Sequence, residues 1–75
     1  MQRELTVLDF NGESKHQWNP DNPDEVAAIR TLYNELKKKG FLAFSVNRKG
    51  DRGEQIREFD PEAGHIILAP PQKGG

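Results

Sequence analysis

The sequence contains no cysteine among its 75 residues. Neither a disulfide framework nor a thiolate metal site is therefore available, and the core must rest on packing alone. No run of apolar residues approaches the length of a membrane span, and no signal-peptide pattern precedes the first predicted strand. We expect a small cytoplasmic domain without membrane contact, near the lower size limit for a single unassisted core.

The chain also lacks a strong net charge, which is −1 at pH 7. The charges are unevenly distributed, since basic residues outnumber acidic ones between residues 37 and 59 and the reverse holds between residues 21 and 36. This pattern fits a solvated surface, and it also fits contact with an acidic partner.

Residues that could act in catalysis or metal binding are few and far apart in the sequence. The two histidines, His16 and His65, fall on separate predicted strands without the spacing of a zinc site. General acid–base catalysis needs a pocket that shifts pKa values, and a chain of this size rarely forms one. We expect no enzymatic activity, no catalytic residue, no metal and no cofactor.

One segment has the features of a helix at both ends. Asn22 suits the N-cap, Pro23 suits the first helical position, and Glu25 can complete a capping box. Gly40 can adopt the left-handed conformation that ends a helix. Apolar residues recur between these limits at three- and four-residue spacing, which predicts one buried face. That stripe consists of Val26, Ile29, Leu32, Tyr33 and Leu36.

Alternation of apolar and polar residues predicts five strands around the helix. They span residues 3–10, 13–18, 41–46, 54–59 and 65–69. The dipeptide Asn11-Gly12 predicts a tight hairpin in which both residues adopt positive φ. The almost continuous apolar run in the last strand predicts an interior position, and the polar fourth strand predicts an edge.

These elements predict a single α+β domain over residues 1–71 with the order β-β-α-β-β-β, followed by a flexible tail at 72–75. One helix would pack on a five-stranded mixed or antiparallel sheet, in a β-grasp-like arrangement. The alternative is a hairpin beside a meander of the last three strands, which the short connection at 60–64 favours.

The element order, the length and the C-terminal Gly74-Gly75 resemble the ubiquitin-like β-grasp family, including small prokaryotic sulfur carriers. The resemblance implies a central last strand parallel to the first. It also implies an activating enzyme as partner. Gly75 would be the acyl donor, and Gly74, which has no side chain, would let the carboxylate enter the narrow active-site channel of that enzyme. Lys73 would guide the docking of the tail. The alternative interpretation of the dipeptide is a disordered end, where glycines are common.

Two kinds of binding surface remain open at this stage. For protein contacts we expect an apolar strand surface that includes Phe44 and Leu68, on a monomer or weak dimer, as in bacterial or phage accessory proteins. The alternative is nucleic-acid binding through a basic region over residues 48–57. Its cationic residues are Arg48, Lys49, Arg52 and Arg57.

Overall fold

A computed structural model describes residues 2–46 and 53–71 of the chain. These residues form β1 (Arg3–Asp9), β2 (Gly12–Trp18), α1 (Pro23–Lys38), β3 (Leu42–Val46), β4 (Glu54–Ile56) and β5 (His65–Ala69). The helix packs on one face of a single five-stranded mixed sheet. The predicted α+β class and the predicted element order are therefore confirmed.

The last strand lies in the middle of the sheet, whose order is β2-β1-β5-β3-β4. β5 runs parallel to β1 and antiparallel to β3, and β4 forms an edge beside β3. This is the β-grasp-like arrangement, and the meander alternative is wrong because β3 separates β4 from β5. The sequence pattern favours the meander because it extends β4 to residue 59. In the structure β4 ends at Ile56, so residues 57–64 are available for the crossover connection from β4 to β5.

The first hairpin has a different turn from the one that its sequence predicts. β1 ends at Asp9 and β2 begins at Gly12, so Phe10 and Asn11 form the turn. Gly12 has a φ of +126°, whereas no non-glycine residue in the described ranges has a positive φ. A type I′ turn centred on Asn11 and Gly12 is therefore wrong. Pairing of Asp9 with Gly12 places the glycine in β2 instead.

The N-terminus of α1 is capped largely as its sequence predicts. The side-chain oxygen of Asn22 accepts hydrogen bonds from the N–H groups of Asp24 (3.0 Å) and Glu25 (3.3 Å). The Glu25 carboxylate accepts from the Asn22 side-chain amide and from the N–H of Asn19, both at 2.9 Å. The N–H of Asn22 itself bonds to the Asn19 carbonyl. Glu25 thus fixes the incoming loop rather than the cap's own N–H.

The C-terminus of α1 ends at a glycine, again as predicted. Gly40 has a φ of +96°. Its N–H donates to the Lys37 carbonyl, and the N–H of Phe41 donates to the Leu36 carbonyl. These two bonds form a Schellman motif, which satisfies carbonyls that the helix leaves free and turns the chain towards β3.

The core lies between α1 and one face of the sheet. The buried apolar residues are Leu5, Val7, Trp18, Ile29, Tyr33, Ala43, Ala63, Ile66 and Leu68. Phe59 follows β4 and leaves the sheet to pack between two of these, with ring centroids 5.4 Å from Trp18 and 5.6 Å from Tyr33. The Trp18 indole N–H donates to the Pro61 carbonyl at 3.0 Å. The crossover is thereby attached to β2 and α1.

Tyr33 brings a polar atom into this aromatic cluster. Its side chain is buried, and its hydroxyl has no hydrogen-bond partner among the described residues. Burial, followed by the nearby charge of Glu58, raises the pKa of Tyr33 above its ordinary value. The neutral phenol is therefore favoured in the folded state, and ionisation opposes folding.

We expect Tyr33→Phe to raise the free energy of unfolding at pH 7 by about 1 kcal/mol, because it removes a buried hydroxyl without a partner. Because the pKa of Tyr33 is higher in the folded chain, its ionisation leaves the parent's stability unchanged below the unfolded value near 10. As pH rises from that value through the folded value, ionisation lowers the parent's free energy of unfolding. Urea unfolding from about pH 7 to about pH 11 tests both statements. A variant that loses stability above pH 10 as steeply as the parent would contradict the second.

Candidate functional site: the uncovered face of the sheet

The sheet face that α1 does not cover carries an apolar surface, which we call the open face. Strand side chains alternate between the two faces, so the neighbours of the core residues turn away from the helix. The apolar residues of the open face are Leu8, Leu42, Phe44, Val46, Ile67 and Ala69. They come from three adjacent strands, β1, β5 and β3.

The strand register places Phe44 and Ile67 near the middle of the open face. Phe44 lies opposite Ile67 across the β3–β5 pair, and Ile67 lies opposite Thr6 across the β5–β1 pair. Phe44 and Ile67 are half-buried, whereas Leu42 and Leu8 are 39 % and 36 % exposed. Half-exposed apolar side chains on a rigid sheet lose little conformational freedom on binding, so this surface suits a protein contact.

A small polar cluster borders the apolar residues. The Thr6 hydroxyl and His65 Nε2 are hydrogen-bonded at 2.8 Å, and Glu4 Oε2 lies 3.3 Å from the same nitrogen. Thr6 is only 5 % exposed, while the side chains of Glu4 and His65 are each about one-third exposed. This cluster gives the open face a carboxylate and an imidazole at one end of β5.

The tip of the β1–β2 hairpin is a separate exposed feature. Phe10 is 84 % exposed, and its N–H donates to the Asp9 carboxylate at 2.6 Å. An open depression of about 220 Å³ lies beside the tip. It is lined by Val7, Asp9, Asn11, Gly12, Glu13 and Ser14. Its carboxylates have no third ligand-type neighbour, since the described residues contain no group of three or more His, Cys, Asp or Glu that could hold a metal ion.

The two partner-binding residues predicted on strands have different positions. Phe44 lies on the open face, as an exposed docking surface requires. Leu68 is 0 % exposed and belongs to the core beneath α1, so its prediction as a docking residue is wrong. The reason is that α1 covers the face of β5 that carries Ile66 and Leu68, which leaves Ile67 on the other side.

Most of the remaining predicted site residues lie outside the described ranges. These are Arg48, Lys49, Arg52, Lys73, Gly74 and Gly75, together with the rest of the predicted tail. Arg57, the fourth residue of the nucleic-acid alternative, is exposed directly after β4. The basic region and the diglycine thus stay predictions.

The sequence did not single out five residues of the open face, nor Phe10 at the hairpin tip; the five are Leu8, Leu42, Val46, Ile67 and Ala69. Leu42 and Phe44 are two residues apart on β3 and therefore share a face, so Leu42 could have been predicted together with Phe44. Ile67 could be found only by knowing which face of β5 the helix covers. The exposure of Phe10 depends on the turn, which the sequence predicted one residue too late.

Comparisons with known proteins add one likeness. No family model matches the chain, and no solved structure matches it. The chain is 31 % identical over 75 residues to a protein of Oceanobacillus iheyensis named NAD-dependent protein deacetylase. The match covers 100 % of this chain and 29 % of that protein, so the chain spans less than a third of its relative's length.

In the part of the chain that the structure describes, no helix is long and apolar enough to cross a membrane.

Proposed function

We propose that the chain is a non-enzymatic, ubiquitin-like domain that binds a partner protein through its open face. The observation that carries this proposal is the half-exposed apolar surface of Phe44, Leu42, Leu8 and Ile67 on the sheet face opposite α1. Exposed apolar groups on a small domain are costly in water, and contiguous ones are typical of interaction sites.

The proposal extends to the C-terminal diglycine, with Gly75 as an acyl donor and Gly74 as a slim approach residue. The end of β5 supports this extension. Ala69 lies opposite Leu42 on the open face, and Pro71 follows beside Gly40 at the end of α1. Residues 72–75 can extend by at most about 3.3–3.6 Å each, so the diglycine stays within roughly 15 Å of Pro71. An enzyme bound to the open face would therefore have Gly75 within reach.

We leave the deacetylase activity named for the relative outside this proposal. The chain matches only 29 % of that protein's length. The described residues instead present an apolar strand surface that suits contact with a protein.

Removal of Gly74 and Gly75 tests the acyl-donor role. We expect the full chain, added with ATP to a lysate of its native cells, to form a covalent adduct with an activating enzyme. The shortened chain should lose the adduct completely, because the reacting carboxylate is then attached to the side-chain-bearing Lys73. Gel mobility with and without thiol reductant, followed by mass spectrometry, measures the adduct. Equal circular dichroism of both chains excludes unfolding, and an adduct on the shortened chain contradicts the role.

The open face is tested separately with Leu42→Ser, for which the matched control is Lys38→Ser on an exposed part of α1. Leu42 should be required for adduct formation and Lys38 should not, because only Leu42 belongs to the proposed contact. Equal adduct yields from both variants would refute the open face as the docking site while leaving the diglycine role standing.

A further inference from the structure

We infer that the free edge of β2 pairs with the same edge of a second copy of this chain, giving a weak symmetric dimer. This inference goes beyond the proposed function and does not depend on it. In the part of the chain that the structure describes, β2 is hydrogen-bonded to β1 on one side and to no strand on the other. It spans seven residues, whereas the opposite edge strand, β4, spans three.

An edge strand recognises another extended strand through its own backbone. Every second residue of β2 directs its N–H and C=O away from β1, so the edge offers alternating donors and acceptors. Residues 12–15 and Gln17 are all exposed. The chemistry that satisfies such an edge is a β-strand of another chain, and the side chains of β2 decide which one.

The charges of β2 are self-complementary in one register. Glu13 and Lys15 lie on the same face of the strand, are 3.8 Å apart, and are each more than half exposed. Antiparallel pairing of two β2 strands around a two-fold axis at Ser14 places Glu13 of each copy opposite Lys15 of the other. Both cross-strand pairs are then of opposite charge, which favours the pairing.

Other symmetric registers lack this complementarity. A two-fold axis perpendicular to the sheet keeps the same face of both copies on the same side. Residues opposite each other must then share a face, which requires that one residue of β2 lies on the axis opposite its own copy. An axis at Lys15 places two lysines opposite each other, and an axis at Glu13 does the same with two glutamates. An axis at His16 places Lys15 opposite Gln17. Only the Ser14 axis opposes unlike charges, and it pairs residues 12–16 of the two copies.

The dimer would join the two open faces into one surface. Because the axis is perpendicular to the sheet, both copies of α1 lie on the same side and both copies of Phe44 lie on the other. The contact is short and polar, so we expect it to be weak, to form at high protein concentration, and to weaken between about 50 mM and about 500 mM salt.

Charge reversal tests the register. Glu13→Lys makes positions 13 and 15 both basic, and Lys15→Glu makes both acidic. In either variant, the two cross-strand pairs between positions 13 and 15 of the dimer then consist of like charges. We expect each reversal to weaken self-association by about tenfold or more relative to the parent. The swapped double variant, E13K together with K15E, should restore it. Sedimentation equilibrium up to about 1 mM protein gives the association constants. Circular dichroism confirms the fold.

A mixture provides the decisive control. E13K and K15E chains each lack self-complementarity but match one another, so an equimolar mixture should associate more strongly than either chain alone. A parent chain that stays monomeric at about 1 mM, or a mixture no stronger than its components, overturns the inference. So does a dimer that Leu42→Ser abolishes and the charge reversals leave unchanged, since that dimer would use the open face.

Discussion

Trp18→Ala should lower the free energy of unfolding by about 3–5 kcal/mol, a large share of the roughly 4–11 kcal/mol expected for a domain of this size. Trp18 is 0 % exposed, stacks against Phe59 in a tilted geometry and donates its indole N–H to the Pro61 carbonyl. The substitution leaves a cavity and also leaves the Pro61 carbonyl without that donor. It therefore releases the crossover between β4 and β5 as well as the end of β2.

Thermal unfolding followed by circular dichroism measures this effect. A loss of that size lowers the Tm by more than about 12 °C in a domain of 60–100 residues. Trp18→Phe is the matched control, since it keeps an aromatic ring against Phe59 but removes the indole N–H. Its Tm should fall between those of the parent and of the alanine variant. An alanine variant that melts within a few degrees of the parent would show that the crossover is held elsewhere.

Leu68→Ala should be nearly as damaging, with a loss of about 2–5 kcal/mol. Leu68 is fully buried at the centre of the sheet, where the register places Val7 on one side and Ala43 on the other. A side chain enclosed by strands on both sides and by the helix above leaves a cavity that its neighbours cannot easily fill.

Leu42→Ala provides the comparison within the same sheet. Leu42 is 39 % exposed, so its truncation should cost less than about 1 kcal/mol. Urea unfolding of the two variants measures the difference directly. If Leu42 proved as costly as Leu68, the open face would be covered in the folded chain, and its proposed role in docking would have to be abandoned.

Both ends of α1 could be predicted accurately because they are set by hydrogen bonds and backbone conformation close to them in sequence. Asn22 and Gly40 act on backbone groups within a few residues of themselves, so their effect does not depend on the rest of the fold. Glu25 shows the limit of such reasoning. A capping box predicts that its carboxylate accepts from the cap's N–H. That N–H donates to the Asn19 carbonyl, and the carboxylate accepts from the N–H of Asn19 instead.

Strand order depends on distant contacts and was predicted only as one of two alternatives. The decisive feature is Phe59, which the alternation assigned to β4. It packs instead between Trp18 and Tyr33, because burying an aromatic ring gains more than extending a polar edge strand. That choice shortens β4 and lengthens the connection, which makes the crossover to the centre of the sheet possible.

The open face shows the same limit for functional residues. Alternation correctly divides β5 into two sets, but it does not say which set the helix covers. Phe44 and Leu68 were therefore predicted together although they lie on opposite faces of the sheet. The correct companion of Phe44 is Ile67, its direct neighbour across the strand pair.

The central position of β5 has a consequence for how the chain acquires its structure during translation. Residues 3–46 can form a hairpin and a helix as they emerge from the ribosome, but β1 and β3 have no strand between them until residues 65–69 follow. In nascent chains that end before His65, the β1–β2 hairpin and β3 are therefore not joined in one sheet. Their apolar residues stay exposed, which makes them suitable binding sites for chaperones. Closure of the core is delayed until nearly all of these 75 residues have been synthesised.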